Sequence, residues 1–288
     1  MKIILREITS PSNDMYKLWK SLLSSKGIKN ESSFLLSGEK LVRETLALLT
    51  LHEKSATFER KKEESFKNSS LPFQSLGLLF PQGTSEAEVR TWLPQNSEKN
   101  ESTFSCWNLS QPLIKELDVL GTQGPLLWMK APQLPTWNPS IPAEGLEILC
   151  PIGDPKNLGA LLRSAEAFGA NKVILLQESA HPFLPWSIKS SSGSCLRIPI
   201  MKGPSVRDLG DMDIYGLDMK GDSVAGFSWP QNLRLLLGEE GPGLPWKLRK
   251  DRTLSIPTVG VESLNVTVAA SIAMWEYRKS MPAFTQSL

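Results

Sequence analysis

Residues 146–176 read LEILCPIGDPKNLGALLRSAEAFGANKVILL, and this stretch decides the fold of the second half of the chain. Two apolar runs of strand length, Leu146–Cys150 and Lys172–Leu176, flank Leu158–Phe168, in which apolar residues recur at helical spacing. A strand, a helix and a strand in this order are typical of two parallel strands joined by a crossover helix. We therefore predict an α/β domain here.

The same alternation continues towards the C-terminus. The predicted helices are Trp186–Ser192 and Ser263–Lys279, and the predicted strands are Arg197–Ile200, Ile214–Asp218, Leu233–Leu237 and Thr253–Ile256. Such alternation predicts a mainly parallel sheet covered by helices on both faces. Ligands of these sheets usually bind beyond the carboxyl ends of the strands, so we expect the functional site in the loops that follow them.

The first half predicts a smaller α/β domain over residues 1–132. Its predicted helices are Ser10–Lys26, Glu39–Leu49, Thr84–Leu93 and Pro112–Leu117, and its predicted strands are Ser33–Leu36, Leu76–Phe80, Phe104–Leu109 and Leu126–Met129. The polar segment His52–Ser70 is interpreted as a loop or a frayed helix end. Residues 133–143, QLPTWNPSIPA, are rich in proline and suit an extended linker to a second domain over residues 144–288.

Composition excludes several classes of protein. The 32 Lys and Arg residues nearly balance 30 Asp and Glu residues, so any RNA surface must be a local patch. The three cysteines are scattered and form no CxxC pair, which favours a reducing, cytoplasmic compartment. No apolar run approaches the roughly 20 residues that span a bilayer, so we predict no membrane partner. No metal-binding cluster is visible either.

Two polar residues of the first segment are candidates for a functional role. Arg163 falls on the helix side opposite the apolar stripe, next to small residues that leave room for a ligand. Asn157 stands just before the predicted helix. The simpler interpretation makes Asn157 the helix N-cap and Arg163 a solvated surface charge.

Two further segments have the same double interpretation. In LLLGEEGPGLP, at Leu235–Pro245, a strand enters a glycine-rich turn whose backbone a ligand could approach closely, and Glu240 adds a carboxylate. In IPTVGVESLNVTVAASIAMWEY, at Ile256–Tyr277, Ser263 or Asn265 opens a helix that is apolar nearly all round, which predicts burial in a core or a subunit interface. The simpler interpretations are an ordinary turn and a helix cap.

Together the three segments resemble the signature motifs of the SpoU/TrmH family of RNA 2′-O-methyltransferases. The matching stretches are NLGALLRSAEAFGA, LLLGEEGPGL and IPTVGVESLNVTVAASIAMWE, in that order, within about Leu146–Lys279. The first half resembles the small α/β RNA-binding domain that often precedes this catalytic domain, through ITSPSN at Ile8–Asn13 and FLLSGEKLVRETL at Phe34–Leu46.

The resemblance implies transfer of a methyl group from S-adenosylmethionine to a ribose 2′-hydroxyl of ribosomal or transfer RNA. It also implies a homodimer and a C-terminal trefoil knot that holds the cofactor. The implied cofactor contacts are Leu237, Gly238, Ile256, Pro257 and Leu264. The implied functional polar residues are Asn157, Arg163, Glu240, Ser263 and Asn265, with Arg163 at the 2′-hydroxyl.

Two positions depart from the family pattern and bear on RNA binding. Ser37 stands where members often carry Glu, and Lys189 stands where many carry Arg. Lysine keeps the positive charge but lacks the planar fork of arginine. The departures concern details of the RNA site and leave the expected cofactor site intact.

The reaction needs a methyl donor aligned with the 2′-oxygen and the removal of one proton. His52, His181 and the cysteines fall outside the motifs. That leaves Arg163, which is normally protonated, and we hypothesise that it lowers the cost of forming the 2′-oxyanion. Two alternatives remain open: a non-catalytic RNA-binding or assembly factor of the same fold, and a related knotted methyltransferase that acts on a base.

Overall fold

The computed structural model describes residues 2–58, 73–93, 103–210, 212–239, 243–244 and 252–281. The chain divides into two compact units. The first comprises Met1–Gln133 with Phe183–Pro185, and the second comprises Leu134–Pro182 with Trp186–Leu288. No helix of the described residues is both long enough and apolar enough to cross a membrane.

The first unit is built on a five-stranded mixed sheet in the order β1-β4-β3-β5-β2. Its strands are β1 (Lys2–Ile8), β2 (Ser33–Leu36), β3 (Gln74–Pro81), β4 (Thr103–Leu109) and β5 (Leu126–Lys130), and its helices are α1 (Asp14–Ser21), α2 (Ser25–Glu31), α3 (Glu39–Phe58), α4 (Glu86–Arg90) and α5 (Gln111–Leu117). β4 runs parallel to β1 and β3, whereas β5 is antiparallel to β3 and β2. The predicted small α/β unit is confirmed in type, with β1 as a strand that the pattern did not predict.

Side-chain caps explain where the helices of this unit begin. Asn13 accepts hydrogen bonds from the amides of Met15 and Tyr16 and starts α1. Ser24 accepts from the Gly27 amide and starts α2, so the prediction of one continuous helix over Ser10–Lys26 is wrong. α3 extends through Phe58, beyond the predicted end, and residues 59–70 of the charged segment lie outside the described residues.

The second unit is a six-stranded, fully parallel sheet in the order β11-β9-β10-β6-β7-β8. Its strands are β6 (Leu146–Cys150), β7 (Lys172–Leu175), β8 (Ile200–Lys202), β9 (Tyr215–Ser223), β10 (Leu233–Leu237) and β11 (Thr253–Ser255), and its helices are α6 (Pro155–Ala167), α7 (Pro185–Ser191) and α8 (Val266–Ser280). The predicted parallel α/β sheet is confirmed. β8 lies later than predicted, because a 3-10 turn at Ser194–Leu196 carries the chain through Arg197.

The central strands of this sheet hold a buried charge cluster. Glu147 on β6 is only 1% exposed, and its carboxylate lies 3.1 Å from both the Lys172 ammonium and the Arg234 guanidinium. Arg234 also donates to the carbonyls of Pro139 and Ile141. These hydrogen bonds hold Pro139 and Ile141 of the proline-rich stretch close to β10.

The earlier part of the same proline-rich stretch pairs with the sheet edge. The buried Trp137 donates its amide to the Lys202 carbonyl at 2.7 Å, and the Lys202 amide donates to the Pro135 carbonyl at 2.8 Å. Residues from Leu134 onward therefore belong to the second unit.

Candidate functional site

A cavity of about 710 Å³ opens where β10 and β11 end and α8 begins, beside the middle of β9, all within the second unit. Parallel sheets bind ligands at this edge because several loops converge there. Its lining residues are Asn157, Leu217, Asp218, Met219, Leu237, Gly238, Glu239, Gly243, Ser255, Ile256, Pro257, Thr258, Glu262, Ser263, Leu264, Asn265, Val266 and Ala269. All five predicted cofactor contacts are among them.

The glycine-rich turn after β10 forms one wall of the cavity. Glu239 and Gly243 exchange two backbone hydrogen bonds, of 2.9 and 3.0 Å, which fold the chain back on itself. A Cβ on Gly238 would lie 3.2 Å from backbone atoms of Gly243, so the tight turn favours glycine at this position. Glu240, a predicted functional residue, lies outside the described residues.

The loop between β11 and α8 forms the opposite wall. Ile256, Pro257 and Leu264 line the cavity, and the Thr258 hydroxyl donates to the Val261 carbonyl at 2.8 Å within the loop. Ser263 also lines the cavity and is exposed. Asn265 is exposed as well, because the helix begins at the open cavity and not in the core.

Asn265 connects the first and third segments. Its side-chain oxygen accepts from the amides of Thr267 and Val268, which caps α8, and its amide nitrogen donates to Asn157 Oδ1 at 3.2 Å. The Thr267 hydroxyl donates to the Asn157 backbone carbonyl at 3.1 Å. The structure thus brings Asn157, Ser263 and Asn265 together at the cavity.

Asn157 itself does not cap a helix. Asp154 is the N-cap of α6, since its carboxylate accepts from the amides of Lys156 and Asn157 and Pro155 occupies the first helical position. The interpretation of Asn157 as the N-cap is therefore wrong. Its side chain lies in the first turn of α6, where it lines the cavity and meets Asn265.

Arg163 lies apart from the cavity lining. It is exposed on α6, six residues after Asn157, which corresponds to about 9 Å along the helix axis. The apolar side of α6 is buried as predicted, with Leu158 and Leu161 in the core. Gly159 is also buried, so only part of the expected space beside Arg163 is open.

Three acidic residues that the sequence did not single out add negative charge to the cavity wall. Asp218 on β9, Glu239 after β10 and Glu262 before α8 all line it. Asp218 and its neighbours enter the site because β9 pairs with β10, which places the two strands side by side. Among the described residues, no group of three or more His, Cys, Asp or Glu side chains is arranged to hold a metal ion.

A salt bridge fixes the far end of the helix that carries Asn157 and Arg163. Arg197 donates to both carboxylate oxygens of Glu166 on α6, at 2.6 and 2.8 Å. These bonds, with the positive charge, lower the pKa of Glu166 below its usual range despite partial burial. The contact anchors α6 against the turn that follows α7.

Part of the chain matches a known protein family. Residues 147–275 match the SpoU rRNA Methylase family, and this stretch contains every described site residue and all of the second unit's sheet except Leu146. This stretch is somewhat less than half of the chain and includes the three motif segments, apart from Glu276 at the end of the third. The resemblance to this family that the three motifs predicted is thereby confirmed.

Two curated relatives and one solved structure illustrate the range of similarity. The chain is 35% identical over 279 residues to "Ribosomal RNA small subunit methyltransferase G 2" of Syntrophobacter fumaroxidans, covering 96% of this chain and 49% of that protein. It is 26% identical to "23S rRNA (guanosine(2553)-2′-O)-methyltransferase RlmP" of Bacillus subtilis, and the match covers 95% of this chain and 100% of that protein. The crystal structure of the AdoMet-bound rRNA methyltransferase of Sinorhizobium meliloti matches with a TM-score of 0.70 at 22% sequence identity. The match covers 96% of this chain and 98% of that one. The chain spans about half the length of several curated relatives that it matches.

Proposed function

We propose that this protein transfers a methyl group from S-adenosylmethionine to the ribose 2′-hydroxyl of a structured RNA, either ribosomal or transfer RNA. The observation that carries the proposal is the cavity at the carboxyl edge of the parallel sheet, where the three motif segments meet. The Bacillus relative, similar over its whole length, is named as a ribose 2′-O-methyltransferase of 23S rRNA.

The cavity fits S-adenosylmethionine in size and chemistry. Its volume of about 710 Å³ lies in the range of small-molecule sites. Apolar side chains such as Leu237, Ile256 and Leu264 suit the adenine ring, and Gly238 and Gly243 present backbone without side chains to the cavity. Asp218, Glu239 and Glu262 supply negative charge for a ligand that carries an ammonium and a sulfonium.

The bound cofactor would supply an already activated methyl group, so the side chains mainly have to align the acceptor and assist loss of its proton. Asn157 and Asn265 hold each other at the cavity and fix the start of α8. Arg163 is exposed and outside the lining, so we assign it to the RNA and not to the cofactor. A guanidinium near the 2′-oxygen stabilises negative charge as the proton leaves. We propose that Ser263 and Glu240 order the two loops.

We further propose that the protein is a cytoplasmic homodimer. Val268 and Trp275 on α8 are 48% and 41% exposed and lie seven residues apart on one helix face. The three cysteines are buried and none forms a disulfide bond, as suits a reducing compartment. Sedimentation of Trp275→Glu tests the dimer: a shift to monomer is expected, and an unchanged dimer would exclude this face.

The role of the first unit as an RNA-binding domain stays a prediction. The trefoil knot in the second unit also stays a prediction.

Calorimetric titration with S-adenosylhomocysteine tests the cofactor site. We expect saturable binding by the wild type, loss of binding in Gly238→Trp, and loss in Ala269→Trp, which fills the cavity from α8 without altering the glycine turn. Val119→Trp adds the same side chain at an exposed position of the first unit and should bind normally. No binding by folded wild type, with or without RNA, would favour the non-catalytic RNA-binding alternative.

A further inference from the structure

A tryptophan flanked by two lysines lies outside the cofactor cavity. Trp186 on α7 is 36% exposed, although it is one of the largest apolar side chains. The ammonium of Lys156 lies 4.4 Å from the Trp186 ring centroid, and that of Lys189 lies 5.4 Å from it. Both lysines are exposed, and among the described residues neither forms an ion pair with a carboxylate. We call these three residues the Trp186 cluster.

Close packing of α6 against α7 creates the Trp186 cluster. A Cβ on Gly159 would lie 2.4 Å from the Ser187 carbonyl oxygen and 2.7 Å from Ser190 Cβ, so only glycine permits this approach. Ser187 is buried, and its hydroxyl donates to the His181 carbonyl, which fixes the start of α7. This packing brings Lys156, in the first turn of α6, over the Trp186 ring on α7.

The Trp186 cluster adjoins the candidate site along the chain. Lys156 immediately precedes Asn157, whose side chain lines the cavity, and Arg163 follows two turns later on α6. A molecule bound at the Trp186 cluster therefore contacts the helix that carries both proposed functional residues. Nothing in the cofactor site requires an exposed indole or two lysines at this position.

We propose that Trp186 stacks on an unpaired base of the RNA substrate, while Lys156 and Lys189 bind the phosphates on either side of it. The proposal rests on the proposed function, since it assigns the RNA substrate a defined contact beside the cavity. The ammonium groups of Lys156 and Lys189 are compact charges suited to phosphates.

Two physical arguments favour RNA over other ligands. Aromatic side chains next to basic ones are the usual surface for single-stranded nucleic acid, because every base has a face that can stack. The chain as a whole is nearly neutral, so binding a polyanion requires local positive charge. The Trp186 cluster provides an aromatic ring and two such charges in one place.

Fluorescence anisotropy with a labelled oligouridylate and with an abasic oligonucleotide of the same length tests the stacking. We expect the wild type to bind the oligouridylate more tightly than the abasic strand. Trp186→Ala should weaken oligouridylate binding about tenfold and abolish this preference, since stacking on one base contributes on the order of a factor of ten. Trp186→Phe should keep most of the preference.

The lysines are tested by the salt dependence of the same binding. Lys156→Gln and Lys189→Gln should each lower the slope of log affinity against log salt by about 0.7 and leave the base preference intact. Lys279→Gln makes the same charge change at the end of α8 and should leave the slope nearly unchanged. Thermal melting and S-adenosylhomocysteine titration of each variant verify that the fold and cofactor site are intact.

Several outcomes would overturn the proposal. They are absence of oligouridylate binding by the wild type, an unchanged base preference in Trp186→Ala, and an equal loss of affinity for both strands. None of these outcomes affects the cofactor titration, so failure of the stacking proposal and failure of the proposed function are distinguishable. If RNA affinity is unchanged in the variants of all three residues, a protein partner is the alternative ligand of the Trp186 cluster.

Discussion

At the scale of single residues, Asn265 has two separable tasks. Its side-chain oxygen caps α8, and its side-chain nitrogen donates to Asn157 at the cavity. An aspartate would preserve the acceptor but remove the donor, because a carboxylate only accepts hydrogen bonds. The two tasks can therefore be separated by a pair of substitutions at one position.

We predict that Asn265→Asp keeps the stability of the wild type and loses methyl transfer, while Asn265→Ala loses both. The loss of the cap in Asn265→Ala should cost about 1 kcal/mol of unfolding free energy. Denaturation and single-turnover methylation measure the two effects. Equal activity of Asn265→Asp and the wild type would show that the bond to Asn157 has no part in the reaction.

Arg163 offers a test of the planar guanidinium. If it stabilises the developing 2′-oxyanion, Arg163→Lys should lower turnover by about 100-fold, since one well-placed donor contributes this order of rate. S-adenosylhomocysteine affinity should stay unchanged, because Arg163 does not line the cavity. Near-normal turnover of Arg163→Lys in a single-turnover assay would exclude a role for the planar fork.

At the scale of elements, the sheet was predictable where strands are buried on both faces. β6 and β10 are buried along their whole length, and each is apolar except for one charged residue. The observed bounds of both strands agree with the prediction. β1 was missed because most of its described side chains are at least partly exposed. The start of α6 was placed too late, although Asp154 followed by Pro155 is a recognisable helix start.

The charges on the two best-predicted strands belong to the cluster around Glu147. Arg234→Met should destabilise the protein by about 3 kcal/mol, because it leaves the buried Glu147 carboxylate with only one of its two cationic partners and releases the carbonyls of Pro139 and Ile141. A double variant, Glu147→Leu with Arg234→Met, should recover part of the loss. Chemical denaturation measures both, and wild-type stability of Arg234→Met would contradict this account.

At the scale of the whole molecule, the site was predictable only in part. The three motif segments were recognisable because each contains an unusual local pattern, and the cavity draws on all of them. Asp218 was not recognisable as a site residue from the sequence. Its place beside the glycine turn depends on the pairing of β9 with β10, which no local pattern specifies. The exposure of Arg163 agrees with its place opposite the apolar stripe of α6, but its separation from the cavity lining depends on tertiary packing that the spacing does not specify.

The central claim is methyl transfer to ribose, and mass spectrometry of nucleosides tests it most directly. Ribosomal RNA from cells that lack this protein would be incubated with the purified protein and S-adenosylmethionine carrying a labelled methyl group, then digested to nucleosides. We expect one labelled 2′-O-methylnucleoside, absent with Gly238→Trp. A label on a base would contradict the assignment to ribose, and no label on either ribosomal or transfer RNA would contradict the assignment as an enzyme.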